Sequence, residues 1–419
     1  MKKTYLVILT VLLVSLFAAL TFSQSGGPYA ITQSVVSNGG GASIGGNFGV
    51  TGTNSQSLVG TNPNGGTFAV SGGFWQQDSG PAAPGSISGT ITYGNAIGNP
   101  VPPRFVKNVS VSSIAGMPPV GPVITGTPGT YSLTGFGMGP YTIKPTKPGG
   151  ANTSITSNDA ARVAQGVSSA VPFVSQNQRF AADVSGNGGV SSNDAALIAR
   201  FAAGLTGTGN AGQWKFFITG APSPLPTAPQ TYNDSRSYPM GVSGSLTSED
   251  YVALLVGEVS GNWNPATHPR PAGTVVSGQL SVVSGPVKNI AVEMPQMKVS
   301  TDKDIIIPVS IQGATGKEII SYEFDLRYDP SVIQPLENPV NVAVTASRGL
   351  SVVANPNEPG KLRVVVYGPM PIKEDGVLLY LRFTVVGAPG SVSPISWERI
   401  MFNDGEPGVI TVDGKIELF

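Results

Sequence analysis

The chain contains no cysteine and a single histidine. The first absence excludes disulfides, thiolate nucleophiles and cysteine-ligated zinc. The second leaves little for a Ser-His-Asp arrangement, because His268 sits in the proline-rich run NPATHPRP. Charge is scarce as well: 11% of residues are charged, against about 25% in ordinary globular chains. The formal net charge is zero and the cations are scattered. Nucleic acid and anionic membrane surfaces both require clustered cations, so neither is an expected partner. Paired carboxylates on facing strands, which a glycosidase needs, are not evident, and no stretch accommodates a large catalytic domain. The chain does not read as an enzyme.

What is abundant is Gly (55) and Pro (36), far above their usual joint share of about 12%. With 419 residues, this composition predicts a mainly β, multidomain protein of short strands and many turns. Two lysines, an apolar run and then small residues open the chain, which is a secretory signal pattern over residues 1–23 with cleavage near Ser23. An uncleaved anchor is the alternative; no later run could span a bilayer, so secretion or a cell-surface location is expected. Residues 24–83 form a Gly/Ser-rich, β-like leader and linker. Residues 84–147 carry alternating strands at Ile87, Ile91 and Tyr93, at Val109 and Val111, and in TYSLTGFGMGPYTIKP. Their ending resembles the prealbumin-like, carboxypeptidase regulatory-like sandwiches, which act as spacers.

The segment ADVSGNGGVSSNDAALIARFAAGL places oxygen donors at the spacing of a 12-residue calcium loop. Asp183, Ser185, Asn187, the Gly189 carbonyl, Ser191 and Asp194 fall at positions 1, 3, 5, 7, 9 and 12, with Gly188 at the sharp turn. Leu197, Ile198, Phe201 and Leu205 then form one face of a helix. All donors are oxygens, which suits Ca2+, and only two are carboxylates, so the affinity should be modest. The plainer reading is a metal-free turn capping a helix.

Repetition favours the loop. ITSNDAARVAQGV from Ile155 and LTSEDYVALLVGEV from Leu246 echo VSSNDAALIARFAAGL from Val190, placing acids at Asp159, Asp194 and Asp250 and predicting an apolar helix after each. The outer two repeats lack a front half, since Pro148 and Pro239 occupy position 1. GEVSGNW, Gly257 to Trp263, copies the missing front half and lacks a back half. A split second site follows, with Glu258, Ser260 and Asn262 at positions 1, 3 and 5 and Asp159 at position 12. The alternative is a Gly-Asn turn that merely buries Trp263. Residues 148–265 thus resemble a dockerin, an α-helical EF-hand-like module. The resemblance implies protein recognition by loop positions 10 and 11, here Ser192 and Asn193 and, by repetition, Ser157 and Asn158; solvated cap residues are the plainer reading.

After a Pro/Gly linker over 266–284, regular alternation appears. Ile305, Ile307, Val309 and Ile311 share one face; so do Tyr322, Phe324, Leu326 and Tyr328, with Glu323, Asp325 and Arg327 opposite; so do Leu379, Leu381, Phe383 and Val385. VITVDGKIELF predicts a closing hairpin turning at Asp413-Gly414. Residues 285–419 therefore predict an antiparallel β-sandwich. ISYEFDLRYDPSVIQPL, KLRVVVYG, GVLLYLRFTVVG and VITVDGKIELF resemble a cohesin, the partner module of dockerins, and the resemblance implies an antiparallel jelly-roll β-sandwich. The resemblances imply a secreted, non-catalytic docking protein with a protein partner, in the setting of polysaccharide degradation. The alternative is a carbohydrate-binding or adhesive surface protein, for which Trp397 and Tyr380 are the candidate sugar platform.

Overall fold

The computed structural model describes residues 85–96, 103–151, 153–218, 233–265, 290–301 and 303–419, and the backbone of four short strands before residue 54. The residues read as a signal segment, most of those read as a leader, and the linker after Pro265 lie outside the described residues. The chain divides into two units, Met1–Ala82 and Ala83–Phe419. In the first, β1 (Ser25–Gly26) pairs with β2 (Tyr29–Ala30), and β3 (Gly40–Gly45) with β4 (Phe48–Thr53).

The second unit begins with β5 (Ser86–Tyr93), β6 (Ser110–Ala115), β7 (Val123–Ile124), β8 (Thr130–Thr134) and β9 (Tyr141–Thr146). Three helices follow: α1 (Ser157–Val167), α2 (Gln176–Ala182) and α3 (Ser192–Ala202). Then come β10 (Trp214–Ile218), β11 (Arg236–Tyr238), β12 (Ser245–Leu246) and β13 (Tyr251–Leu255). These four return to the small sandwich. One sheet runs β10-β13-β5-β12, with β8 also on β5, and the other runs β11-β9-β6-β7. The small sandwich expected over 84–147 and the module expected over 148–265 therefore interleave. They share one core, from Ile87, Ile91 and Ile143 through Ala160, Val163 and Ile198.

The third repeat is not a helix. Tyr251–Leu255 is a strand between β10 and β5, fully buried at Tyr251 and Ala253. A five-residue apolar run fits either period, and a vacant place beside β5 decides for the strand. Asp250, expected at the head of a helix, instead accepts hydrogen bonds from the Thr90 N–H and hydroxyl at 2.7 and 2.8 Å.

The C-terminal sandwich comprises β14 (Ile290–Glu293), β15 (Gln296–Val299), β16 (Asp304–Gln312), β17 (Ile319–Arg327), β18 (Ile333–Asn341), β19 (Ser351–Asn355), β20 (Lys361–Ile372), β21 (Gly376–Val385), β22 (Val392–Phe402), β23 (Val409–Val412) and β24 (Gly414–Leu418). Its sheets run β18-β21-β16-β14-β23 and β15-β24-β22-β17-β20-β19. The faces read from alternation fill the core between them: Ile307, Val309, Tyr322, Phe324, Leu381 and Phe383 are all buried. The closing hairpin does not form. β23 pairs in parallel with β14 in one sheet, and β24 joins β22 and β15 in the other. The chain crosses between sheets at Asp413, whose carboxylate accepts from the Trp397 N–H at 3.0 Å and so serves as a corner.

Candidate functional site

The loop after α2 brings all its expected residues together. Asp183 Oδ1 accepts from Ser185 Oγ (3.1 Å), Gly186 N (2.9 Å) and Asn187 N (3.2 Å), and Oδ2 from Gly188 N (2.7 Å). Gly186 and Gly188 hold φ of +71° and +86°, where a side chain would strain the backbone. Asp194 Oδ1 accepts from Ser185 N at 2.8 Å, and Oδ2 from Ser191 N and Oγ at 2.9 Å each. Ser191 and Asp194 form a capping box that starts α3. Gly189 donates its N–H to Asn187 Oδ1 at 2.9 Å. Both carboxylates are buried, Asp194 completely. Among the described residues no group of three or more His, Cys, Asp or Glu converges as metal ligands. An ion here would rest on two carboxylates plus hydroxyl, amide and carbonyl oxygens, a donor set that fits a hard cation held weakly.

The same pattern recurs across two distant segments. Thr156 and Asp159 form the capping box of α1, with Asp159 Oδ2 accepting from Thr156 N at 2.7 Å. Asp159 Oδ1 accepts from Val259 N at 2.7 Å and Ser260 N at 2.8 Å, a hundred residues along the chain. Glu258 Oε1 accepts from Ser260 Oγ at 3.1 Å and Asn262 N at 2.9 Å. All but the Val259 bond repeat one at Asp183 or Asp194, with Glu258 for Asp183, Ser260 for Ser185 and Asp159 for Asp194. Gly261, with φ +76°, matches Gly186. The turn also buries Trp263, whose ring sits 4.9 Å from those of both Tyr93 and Trp214. Glu258 is fully buried, and its Oε2 has no hydrogen-bond partner; nor has Asn262 Oδ1. Burial pushes Glu258 up to about 8 and raises Asp159 too, with the nearby Asp404 charge adding to the latter.

The first turn of α1 is seated on the outer face of the C-terminal sandwich. Asn158 Nδ2 donates to Asp404 Oδ2 at 2.6 Å, and Thr156 Oγ1 lies 2.9 Å from Asp404 Oδ1. The Ser157 N–H donates to Glu323 Oε2 at 2.9 Å, so a carboxylate from the sandwich caps the positive end of the helix. Arg399 holds the other oxygen of Glu323. Ile320, Val365 and Tyr367 on this face belong to the same buried cluster as Ala160, Ala161 and Val163. Farther along, Asn355 Nδ2 donates to the Ala203 carbonyl at 2.8 Å. Ser157 and Asn158 are buried here, whereas Ser192 and Asn193 on α3 are exposed.

Sequence reasoning missed Asp404, Glu323, Arg399 and Asn355. Strand alternation did place Glu323 and Asp325 outward, yet both are buried: Glu323 under the first turn of α1, and Asp325 among Lys361, Arg363 and Arg399 of its own sheet. Trp397 is a core side chain donating to the Val412 carbonyl at 3.1 Å, which removes it as a sugar platform; Tyr380 is half-buried.

Residues 290–418 match the cohesin domain family and residues 151–201 match the dockerin type I domain family. Both are non-catalytic modules that form protein–protein complexes. Among solved structures, a type I cohesin–dockerin complex from Clostridium thermocellum is similar at 23% identity, over 31% of this chain and 99% of that one, with a TM-score of 0.27. The sixth cohesin of scaffoldin B from Acetivibrio cellulolyticus, in complex with a dockerin, matches at 20% over 31% and 99%, TM-score 0.26. A non-cellulosomal cohesin from the archaeon Archaeoglobus fulgidus matches at 20% over 31% and 91%, TM-score 0.27. No curated protein matches the chain.

Proposed function

We propose that this chain is a secreted, non-catalytic docking protein whose dockerin-like module is engaged by its own cohesin-like sandwich. The observation that carries the reading is the first turn of α1 on the sheet face of β17 and β20, with Ser157 and Asn158 at the seam. Helix N–H groups and an amide meet fixed carboxylates, while an apolar patch closes around them. This is how a polar-rimmed protein interface is built. Calcium at Asp183–Asp194 orders the neighbouring loop and α3. Ser192 and Asn193 leave a matching polar turn open on the other helix. Partners outside the chain must displace the internal contact or use what it leaves free. The resemblance makes polysaccharide breakdown the expected setting.

A cleavable sequence placed between residues 266 and 289 of the full chain tests the internal docking. After cutting, the two pieces should still co-elute on gel filtration at micromolar concentration in calcium. Separation of the pieces overturns it. Calorimetry should show calcium binding that Asp183→Ala reduces; unchanged heats would remove calcium from that loop.

A further inference from the structure

We propose that Asp159, Glu258, Ser260 and Asn262 form a second, split site for a calcium-type divalent cation, and that its occupancy is linked to docking through Asp404. The link rests on the docking reading above; the site itself does not. Three observations point to a cation-binding site.

The first is that Glu258 is wholly inside the protein with one carboxylate oxygen unpartnered, and Asn262 Oδ1 beside it is also unpartnered. Such atoms are costly unless something satisfies them. The second is a shortage of hydroxyl protons. Thr156 has one hydroxyl proton but lies 3.1 Å from Asp159 Oδ2 and 2.9 Å from Asp404 Oδ1. Ser260 has one as well, and faces both Glu258 and Asp404. Two hydroxyl protons thus serve three carboxylates. The third is the absence of a compensating side chain. Among the described residues no Lys or Arg forms an ion pair with Asp159, Glu258 or Asp404. Arg104 comes near, but its Nη1 is taken by the Gly261 and Trp263 carbonyls.

A divalent cation answers all three. Asp159 and Glu258 supply charge, and Ser260 Oγ and Asn262 Oδ1 supply neutral oxygens, as at Asp183, Ser185, Asn187 and Asp194. Ser260 reaches both carboxylates, through its N–H to Asp159 and its hydroxyl to Glu258. Once the ion takes the lone pairs of Ser260 and the charge of Asp159, the hydroxyls of Ser260 and Thr156 are free to give their protons to Asp404. Asp404 is therefore a positioning residue on the sandwich and not a ligand. Cation binding strengthens its contacts across the seam, and docking strengthens cation binding by the same factor.

The experiment uses the full chain carrying the cleavable linker, with calcium alone as the probe, read by calorimetry and native mass spectrometry. The wild type should bind two equivalents. Asp183→Asn should remove one, and Glu258→Gln the other. Asn262→Ala, at a part-buried neutral side chain, should weaken the second equivalent while leaving circular dichroism unchanged; it guards against misfolding of the Glu258 variant. Asp404→Asn should weaken that same equivalent about tenfold and leave the first alone. A single equivalent that disappears in Asp183→Asn overturns the split site. Two equivalents, neither touched by Asp404→Asn, overturn the link. Two equivalents with pieces that separate after cleavage overturn the internal docking and the link, and leave the split site in place.

Discussion

The loop at Asp183 and the loop at Glu258 share four hydrogen bonds built from differently connected residues. One is a continuous run from Asp183 to Asp194; the other joins the start of α1 to a segment a hundred residues later. What they share is local: a capping box that fixes an acid at a helix start, and a Ser-Gly-Asn turn whose N–H groups fold back on an acid. Continuity is dispensable if another element delivers the turn. Here β13 does so, because its pairing with β5 and β10 places Leu255 three residues before Glu258. The loop-closure cost, which grows slowly with length, falls on the sheet rather than on the site. The loops differ in surroundings: the sandwich covers the helix start at Asp159, while the helix start at Asp194 faces outward at Ser192 and Asn193.

That difference predicts unequal losses. Asp159→Ala would leave the N–H groups of Thr156, Val259 and Ser260 buried without an acceptor, at a cost of about 3–5 kcal/mol. Asp194→Ala removes the equivalent acceptor where Ser185 and Ser191 are only part-buried, at a cost of about 1–2 kcal/mol. Urea unfolding of both variants in chelator, so that no metal contributes, measures the gap. Equal losses, or the reverse order, would break the comparison.

The next effect isolates the seam. Asn158 gives its amide to Asp404, a bond to a charged acceptor worth about 1.5–3 kcal/mol. Asn158→Ala should therefore lower the stability of the intact chain by about that amount and speed separation of the cleaved pieces. A variant that unfolds and separates like wild type would place the binding energy elsewhere on the face.

Legibility in the sequence followed how local each signal was. The continuous loop and α3 were readable because donors and apolar positions keep fixed spacing within one segment. Strands β16, β17 and β21 were readable from alternation. The split loop was readable only because GEVSGNW repeats a stretch found elsewhere. The third repeat misled: its acid and apolar run matched the other two, but a strand partner outweighed helical spacing at Tyr251–Leu255. Asp413-Gly414 misled in the same way, since a turn dipeptide cannot say whether the next strand returns to the same sheet. Helix α2, only seven residues long, carried too few turns to show a period. The docking face was illegible, because Glu323 on β17 alternates as a solvent-facing charge does, and nothing local records that a helix start covers it.

The charges beside that face allow a gentler test. Burial pushes Asp325 up, yet hydrogen bonds from Arg363 and the charges of Arg399 and Lys361 prevail and hold it at about 2. A carboxyl held below its unfolded value of about 3.9 stabilises the fold above that pH. The contribution is lost as pH falls from about 4 towards about 2. In Asp325→Asn the stability-against-pH curve should be flatter over that window and parallel to wild type above it. A curve unchanged below pH 4 would show that these ion pairs carry no net stability, as for many pairs that reach solvent. Above pH 4 this network contributes a constant amount, so the two loops can be compared there without its titration intervening.

The smallest effect is expected where the second loop meets solvent. Ser192 and Asn193 occupy on α3 the places that Ser157 and Asn158 occupy on α1, but they are exposed and no hydrogen bond of theirs crosses to the sandwich. Replacing both with alanine removes little packing and leaves the Ser191–Asp194 capping box in place. Surface changes of this kind stay within about 0.5 kcal/mol. The double variant should unfold like wild type, and its cleaved pieces should co-elute as before. The same substitution at Ser157 and Asn158 should loosen them. A large loss from the α3 pair would mean that the sandwich exchanges between the two helix starts, and the asymmetry between the loops would then be one of two states.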